Sequence, residues 1–213
     1  MPRDKTLSHR KVNAAIREEF LEKGYEGASI RSIGDRAGMT SAGLYRHYRD
    51  KDDMFDSIVS PLLQEIDDWT RKHEERKYQL VEAQEDRNMI FGETFVDLIK
   101  EVIIPRKEEF RLVLKGAKGS RYENFIHDFV EDNQGKLMEA IHYMKEKGYP
   151  AILLSEEELH MLLSAYLTAI FEPILHGYDE DKIEGYLDRI NDFFMPGWMK
   201  IMGLTNYDML PSR

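Results

Sequence analysis

Residues 24–55 decide the fold, and they read GYEGASIRSIGDRAGMTSAGLYRHYRDKDDMF. Ser29 is a natural N-cap for a short helix, and Gly38 closes that helix after about two turns. Thr40 is predicted to cap a further short helix that reaches Tyr48. Two short helices separated by a tight glycine turn are typical of a helix-turn-helix unit.

The segments on either side complete this unit. Before it, apolar residues recur every three or four positions and predict a first helix that ends at Gly24; they are Val12, Ala15, Ile16, Phe20 and Leu21. After it, Asp50 is predicted to cap a fourth, longer helix. The apolar positions of that helix are Met54, Phe55, Ile58, Leu62, Ile66 and Trp69.

The remainder of the chain also reads as helical. Residues 70–88 are the most polar part and are interpreted as the end of the fourth helix and a loop. Glycine and proline breaks then separate five predicted helices, at 88–104, 106–115, 121–147, 155–177 and 179–201. Because no alternating strand pattern occurs, the predicted fold class is all-α. We expect a DNA-binding domain at residues 1–50 and a larger helical ligand-binding and dimerisation domain at residues 51–213.

Charge is distributed unevenly along the 213 residues, whose net charge is -10. Residues 1–51 carry 11 Lys and Arg against 7 Asp and Glu, whereas the rest carries 19 against 33. A basic head on an acidic body is expected when only the head meets a polyanion. The absence of cysteine excludes disulfides and thiolate metal sites. No apolar signal core opens the chain and no run of eighteen apolar residues occurs, which favours a cytoplasmic protein.

The predicted third helix presents a surface suited to DNA. If Leu44 and Tyr48 face the core, the outward positions are Ser41, Ala42, Gly43, Tyr45, Arg46 and His47. Small residues allow the backbone to approach base edges, and Arg46 could bind guanine through two hydrogen bonds. Phosphate contacts are expected from Thr40, Tyr45, His47 and Lys51, with Ser29 and Arg31 clamping the neighbouring backbone. The alternative is a solvated helix face on which the tyrosines pack locally.

The whole stretch resembles the DNA-binding segment of the TetR family of transcriptional regulators. The resemblance covers roughly residues 9–58 and lies in Phe20, Gly24-Tyr25, Ser29, Ile33, Ala37-Gly38-Met39, Gly43-Leu44-Tyr45, His47-Tyr48 and Lys51. It implies a homodimeric regulator, more often a repressor, whose third helices enter successive major grooves of a near-palindromic operator. Gly34 departs from the family's usual alanine and costs up to about 1 kcal/mol of helix propensity.

The resemblance also implies that the acidic body pairs two subunits and binds a small-molecule effector. The last two predicted helices are apolar on most of their circumference. Their predicted dimer contacts are Leu159, Leu163, Tyr166, Ile170, Ile174, Ile183, Leu187, Ile190 and Phe194. The residues expected to line a ligand cavity are Phe91, Phe95, Arg111, Phe125, Phe129, His142 and Tyr166. Any of these side chains could instead belong to an ordinary core.

A different class of protein shares some of these features. Glu139 with His142, and Glu157 with His160, have the Glu-x-x-His spacing of a ferritin-like di-metal bundle. Glu157, however, lies in the first turn of its helix, where acidic residues favour the helix dipole. No catalytic Ser/His/Asp set, HExxH motif or phosphate-binding glycine loop occurs, so no enzyme, cofactor or metal is predicted. A nonspecific DNA-compacting protein is disfavoured because an acidic body would repel neighbouring phosphates.

Overall fold

The structure is a computed structural model, and it describes residues 5–83, 85 and 95–204. The fold class is all-α as predicted, since no strand occurs within these ranges. The helices are α1 (Lys5–Gly27), α2 (Ile30–Ala37), α3 (Ser41–Leu44), α4 (Lys51–Glu82), α5 (Phe95–Leu98), α6 (Lys107–Lys115), α7 (Phe125–Glu146), α8 (Glu156–Leu175) and α9 (Glu180–Ile201). A π-helical turn (Ile99–Ile103) and a 3-10 turn (Ile104–Arg106) connect α5 to α6.

The predicted break at Gly24 is confirmed as a sharp change of direction near the end of α1. Gly24 has φ 66° and ψ 179°, a conformation that side-chain-bearing residues rarely adopt. The turn brings the Tyr25 amide within 2.6 Å of the Gly116 carbonyl oxygen, which accepts its hydrogen bond. A β-carbon on Gly24 would lie 3.1 Å from that same oxygen. Position 24 therefore suits glycine for both its backbone angle and its close approach.

The two short helices are capped as the sequence predicts. The Ser29 hydroxyl accepts a hydrogen bond from the Ser32 amide, and the Thr40 hydroxyl accepts one from the Gly43 amide. The predicted extent of the third helix is wrong, because α3 ends at Leu44. The next bonds tighten to a three-residue spacing, with the His47 amide donating to the Leu44 carbonyl at 2.8 Å. Residues 45–47 therefore form a turn beyond α3.

The fourth helix ends within the polar segment, as predicted. Residues 70–88 were expected to hold the end of this helix and a loop, and α4 ends there at Glu82. Thr70, His73 and Val81 are buried within this polar segment at helical spacing. These three residues pack the second half of α4 against neighbouring helices. Because two of them are polar, a search for apolar spacing in the sequence does not detect this buried face.

The later helices are close to prediction, with differences at their starts. The predicted helix at 88–104 corresponds in its described part to α5 and the π turn, and residues 88–94 lie outside the described ranges. The helix predicted from residue 121 starts at Phe125, because residues 121–124 form turns. Ser155 and Glu158 form the reciprocal capping box that was expected at the start of α8.

The chain divides into two compact units. The first contains Met1–Asp67 and Pro105–Phe125, and the second contains Asp68–Ile104 and Ile126–Arg213. Helices α1, α2, α3, α4 and α6 together form the core of the first unit. Its buried residues include Phe20, Ile33, Leu44, Met54 and Phe55, and α6 contributes Leu112 and Val113. The core of the second unit includes Ile99, Ile103, Ile141, Leu159, Leu163, Ile170 and Leu187. The predicted division of roles at residue 50 stays a prediction.

Candidate functional site

The α2–α3 pair exposes most of the side chains that were predicted to contact DNA. Leu44 and Tyr48 are buried, at 0% and 8% exposure, and hold the segment on the first unit's core. Tyr45 is 52% exposed, although a tyrosine is a large, partly apolar side chain. The other predicted contact residues that are exposed are Ser29, Arg31, Thr40, Ala42, Arg46 and His47, while Ser41 is half-buried.

Gly43 is the predicted contact residue that does not face outward. It is buried, and a β-carbon there would lie 3.3 Å from the Met39 side chain and 3.4 Å from the Thr40 hydroxyl. The prediction that Gly43 belongs to the outer surface is therefore corrected. Its role is to let α3 begin directly against the preceding turn, which fixes the direction in which Tyr45 and Arg46 project.

Lys51 lies beside this surface in a half-buried position. Its ammonium group is 4.5 Å from the centre of the Tyr25 ring and within 3.4 Å of the Glu26 carbonyl oxygen. Burial lowers the pKa of Lys51, and the nearby carboxylates, Asp52 first, partly oppose that effect. The Tyr25 hydroxyl donates to Asp52 at 2.8 Å, and burial with this bond raises the pKa of Tyr25 to about 12. The tyrosine therefore stays protonated at neutral pH.

A buried carboxylate beneath α2 was missed by the sequence analysis. Glu19 is 0% exposed and accepts hydrogen bonds from the Ser29 amide at 3.2 Å and the Ser32 hydroxyl at 2.7 Å. It also pairs with Lys23 at 2.8 Å and with Arg36 at 3.0 Å. Glu19 thus ties the start and the end of α2 to α1. The available signal was its spacing, since it falls on the same helical stripe as Ala15 and Ile16.

The hydrogen bonds to Glu19 also determine its charge. Burial by itself raises the pKa of the carboxyl group, but the bonds from Lys23, Ser32 and Ser29 outweigh burial and lower the pKa from 4.5 to about 2. The group is therefore ionised across the physiological range. It fixes α2 through charge-assisted hydrogen bonds, which are stronger than neutral ones.

A second side-chain bond fixes the end of the α3 segment. The Tyr48 hydroxyl donates to the Asn13 side-chain oxygen at 2.7 Å, which links the turn after α3 to α1. The two exposed residues Arg46 and His47 are thus carried on a segment held at both ends. Such preorganisation favours contact with a rigid partner surface.

Comparison with known proteins agrees with this geometry. The family model described as bacterial regulatory proteins, tetR family, matches residues 13–58. Residues 13–58 are therefore similar to this family. The HTH-type transcriptional repressor KstR2 of Rhodococcus jostii (strain RHA1) is 36% identical to this chain over 47 residues. That alignment spans 22% of this chain and 23% of the relative.

Two solved structures are similar over most of this chain. One is described as a TetR-family transcriptional regulator from Mesorhizobium loti MAFF303099; it has 17% identity, covers 91% of this chain and 98% of its own, and has a TM-score of 0.48. The other is NalD of Pseudomonas aeruginosa, the secondary repressor of the MexAB-OprM multidrug efflux pump, with 14% identity, 91% and 97% coverage and a TM-score of 0.45. At these TM-scores neither structure adds to the family similarity found over residues 13–58.

The second unit contains a cavity of about 280 Å³. Among the residues predicted to line it, Phe95 and Tyr166 do so. Phe129 packs with Phe95 and Phe171 outside the lining, and His142 is exposed. Phe91 lies outside the described residues.

Arg111 and Phe125, also predicted as ligand contacts, belong to the first unit. Phe125 packs with Phe110 at 6.2 Å between ring centres, and Arg111 lies 3.7 Å from Glu108. Their placement corrects the prediction because an aromatic or basic residue on a middle helix carries no local sign of which core it joins.

The predicted dimer contacts fall mostly on the inner face of their helices. Seven are at most 2% exposed within the protomer: Leu159, Leu163, Tyr166, Ile170, Ile174, Ile183 and Leu187. Ile190 and Phe194 are half-buried. The outward apolar side chains of α8 and α9 are instead Met161 at 64%, Leu162 at 41%, Tyr186 at 43% and Phe193 at 79% exposure. Since both faces of these helices are apolar, the sequence pattern could not separate core from surface.

The residues of the di-metal alternative are not gathered into a site. Glu139, His142, Glu157 and His160 are all exposed, whereas a ferritin-like centre requires ligands facing a bundle core. His160 contacts the Gln134 side-chain oxygen at 3.0 Å. Within the described ranges, no group of three or more His, Asp or Glu side chains could hold a metal ion.

α8 is long and apolar enough to cross a membrane by length and composition, with a mean hydropathy of 1.2 over its best window. The core helix of a soluble protein passes the same test, and α8 buries Leu159, Leu163, Ile170 and Ile174 against the rest of the second unit. Its hydrophobicity is weak support for a membrane span.

Proposed function

We propose that the protein is a DNA-binding transcriptional regulator, most simply a cytoplasmic repressor without enzymatic activity. The observation that carries the proposal is the exposed face of the α2–α3 pair, where Tyr45, Arg46 and His47 project from a segment anchored by buried Leu44 and Tyr48. The TetR-family match over residues 13–58 supports the same assignment.

The residues on this face suit distinct contacts with a DNA duplex. Ala42 is exposed and small, so the α3 backbone can approach base edges closely. Arg46 is the residue we assign to guanine, because its guanidinium can donate to O6 and N7 together. Tyr45, His47 and Lys51 then donate to phosphates, with Arg31 near the start of α2. The Ser29 and Thr40 hydroxyl oxygens act as cap acceptors, and their hydroxyl hydrogens can still donate to phosphate oxygens.

We further propose that the protein binds a near-palindromic operator as a homodimer. One short recognition helix buries too little surface for tight specific binding, and paired helices read half-sites about one helical turn apart. The pairing surface assigned here is the outer face of α8 and α9. Met161, Leu162, Tyr186 and Phe193 are large exposed apolar side chains there, and exposed apolar surface of this kind is typical of protein interfaces.

The cavity in the second unit is proposed to hold an effector that releases the DNA. Release requires that the effector bind a conformation unsuited to the operator more tightly than the DNA-binding one, by a few kcal/mol. α4 is continuous from Lys51, next to the recognition surface, to cavity residues Trp69 and Val81. A ligand that changes the tilt of α4 would therefore also move Lys51.

Selection from the protein's own genome tests the proposal. Purified full-length protein is incubated with a fragmented genomic library, and bound fragments are sequenced and titrated at several salt concentrations. We expect a short near-palindrome bound at least about a thousandfold more tightly than random DNA, with affinity falling as salt rises. A protein checked by mass spectrometry to hold no small molecule, yet enriching no sequence at low salt, contradicts the proposal.

A further inference from the structure

The cavity of the second unit has an unusual concentration of buried polar side chains. In the described part of the chain, four polar or charged side chains are buried: Glu19, Thr70, His73 and Asn133. The last three all line this cavity. Two of them have partners within the protein, since His73 Nδ1 lies 2.6 Å from the Trp69 carbonyl oxygen and the Asn133 amide donates to the Phe129 carbonyl oxygen at 2.7 Å. The wall of the cavity is therefore partly polar, and any buried polar group in it that lacks a partner is costly.

One donor in this wall has no acceptor. The Trp198 side chain lines the cavity and is 7% exposed, and its indole nitrogen makes no hydrogen bond within the described ranges. That nitrogen can only donate. The other tryptophan of the wall differs, because the Trp69 indole nitrogen donates to the Glu101 carboxylate at 2.8 Å. A hydrogen-bond acceptor is therefore missing beside Trp198 and not beside Trp69.

The aromatic residues of the cavity wall indicate what kind of ligand would supply that acceptor. Aromatic rings surround the space, with Phe95 and Trp198 each about 6 Å from the Tyr166 ring centre, at 6.0 and 6.1 Å. Tyr78 and Tyr143 pack at 4.9 Å on another part of the lining. Rings of this kind favour flat, polarisable molecules through offset or edge contacts.

The charges of the wall favour a neutral occupant. The charged lining residues are two glutamates and two lysines, Glu74, Glu139, Lys77 and Lys136, which balance each other. Lys136 already pairs with Asp132 at 2.7 Å. The buried polar groups are a hydroxyl, an imidazole and an amide, none of which is a lysine or arginine that would neutralise an anion. An ionised ligand group would therefore lose its hydration without a dedicated counter-charge.

From these observations we infer that the cavity binds an uncharged aromatic molecule bearing a carbonyl-type oxygen, which accepts the hydrogen bond of the Trp198 indole. The inference rests on the proposed function only in calling this molecule an effector. The volume of about 280 Å³ lies near the lower limit of about 300 Å³ for small-molecule sites, so a molecule of two or three fused or linked rings is expected.

Three naphthalene probes test the inference on the full-length protein. 2-Acetylnaphthalene carries the acceptor, 2-isopropenylnaphthalene replaces its oxygen by a methylene group of similar shape, and 2-naphthoate is negatively charged. Dissociation constants come from calorimetry and from tryptophan fluorescence, which reports on this cavity because the chain's two tryptophans both line it. We expect the ketone to bind about five- to tenfold more tightly than the alkene, and the naphthoate to bind more weakly than the ketone.

Two matched variants separate the hydrogen bond from ring packing. Trp198→Phe removes the unpaired indole donor, and we expect it to weaken ketone binding to about the level of the alkene while changing alkene binding less than about twofold. Trp69→Phe removes an indole donor that already has a partner, so it should alter both probes in the same proportion. Circular dichroism melting of each variant confirms that binding is compared between folded proteins.

The outcomes distinguish this inference from the proposed function. Equal affinity for ketone and alkene, or an equal loss of affinity for both in Trp198→Phe, contradicts the inference that a ligand oxygen accepts the hydrogen bond of the Trp198 indole. It indicates that an ordered water accepts this bond. Tighter binding of naphthoate than of the ketone contradicts the inference that the ligand is uncharged. If none of the three probes binds, the inference that the ligand is aromatic is contradicted. Operator selection is measured without probe, so a protein that selects DNA but binds no probe refutes only the inference. A protein that binds ketone but selects no DNA refutes only the proposed function.

Discussion

At the scale of single residues, the first unit depends on a charged side chain in its interior. Glu19 is fully buried, yet four donors from α1 and α2 compensate its lost hydration. The donors include the Ser29 amide and Arg36, so the carboxylate holds α2 near both of its ends. Its ionisation is therefore linked to the stability of the unit that carries the proposed recognition surface.

We predict that Glu19→Gln destabilises the protein by about 2–4 kcal/mol at neutral pH, because Arg36 and Lys23 lose a buried counter-charge. Urea unfolding monitored by circular dichroism measures the change. Glu22→Gln is the matched control, since Glu22 also pairs with Arg36 but is 58% exposed at its side chain. Its cost should be below about 1 kcal/mol.

The same substitution should show a characteristic pH dependence. Folding lowers the pKa of Glu19 from 4.5 to about 2, so its stabilising effect is complete above pH 4.5 and is lost as the pH falls toward 2. The difference in unfolding free energy between the wild type and Glu19→Gln should therefore shrink on acidification through that window. A difference that stays constant from pH 7 to pH 3 would show that Glu19 stabilises the fold without its charge.

Gly34 provides a second prediction at the residue scale. A β-carbon there would lie 2.7 Å from the Met39 carbonyl oxygen, which explains why glycine replaces the alanine common in the resembled family. We expect Gly34→Ala to destabilise the protein by about 1–3 kcal/mol, although alanine is the better helix former.

Gly135→Ala is the control for this substitution. Gly135 lies inside α7, and apart from its chain neighbours and the local helix backbone no atom is within 4 Å of the added carbon, so the change should stabilise the protein by up to about 1 kcal/mol. Thermal melting compares the two variants. If Gly34→Ala raised the melting temperature as Gly135→Ala does, the turn between α2 and α3 would have to accommodate the methyl group by moving.

At the scale of elements, a four-residue helix is positioned by its surroundings more than by its own hydrogen bonds. α3 is too short to be stable alone, since helix nucleation is costly. The Thr40 cap, buried Leu44 and the bond from Tyr48 to Asn13 hold it in place. The exposed side chains after Leu44 inherit that fixed position, which is what base recognition requires.

Arginines at the end of this element allow a matched test. Arg46 is exposed on the proposed reading face, whereas Arg49 donates to the Asp53 carboxylate at 3.3 Å. Each alanine substitution removes one positive charge. Arg46→Ala should cost about 1–3 kcal/mol of operator affinity and relax specificity at one base pair, as measured by anisotropy titration on operator variants.

Arg49→Ala should leave the preference among operator variants unchanged and should reduce affinity for all sequences to a similar, small extent. Equal losses of specificity in the two variants would show that the assignment of Arg46 to a base edge is incorrect and that both arginines act through phosphate charge.

At the scale of the whole molecule, the proposed dimer depends on exposed apolar side chains of α9. Phe193 is 79% exposed and adjoins Phe194, whose ring centre is 5.2 Å away. Tyr186 lies seven positions earlier on the same face of α9 and is 43% exposed. Leaving such side chains in water forgoes roughly 25 cal/mol for each Å² of apolar surface that pairing would bury.

We predict that Phe193→Glu converts a dimer into a monomer in sedimentation velocity experiments at micromolar concentration, and that operator affinity falls by at least about a hundredfold. Ile126→Glu is the control, because Ile126 is a 40% exposed apolar residue on α7, a helix other than the two assigned to pairing. A wild-type monomer, or a Phe193→Glu variant that stays dimeric, would contradict the assigned surface.

The sequence by itself determined the features that depend on neighbouring residues. Most helix positions, the caps at Ser29, Thr40 and Ser155, and the break at Gly24 follow from spacings of three or four residues and from backbone preferences, so they were predicted closely. The end of α3 at Leu44 was not. The family resemblance of the first unit rests on the same local pattern, which the match over residues 13–58 supports.

Only the tertiary structure decided which residues meet from distant parts of the chain. It placed α6 in the first unit's core, buried Leu163 and Tyr166 inside the second unit, and grouped Thr70, Asn133 and Trp198 around one cavity. When a helix is apolar on all sides, its sequence does not show which side faces the core. Likewise, the sequence around an isolated polar residue does not show which distant residues it will contact. These properties arise because burial is a relation between elements, and it has no signature within a single helix.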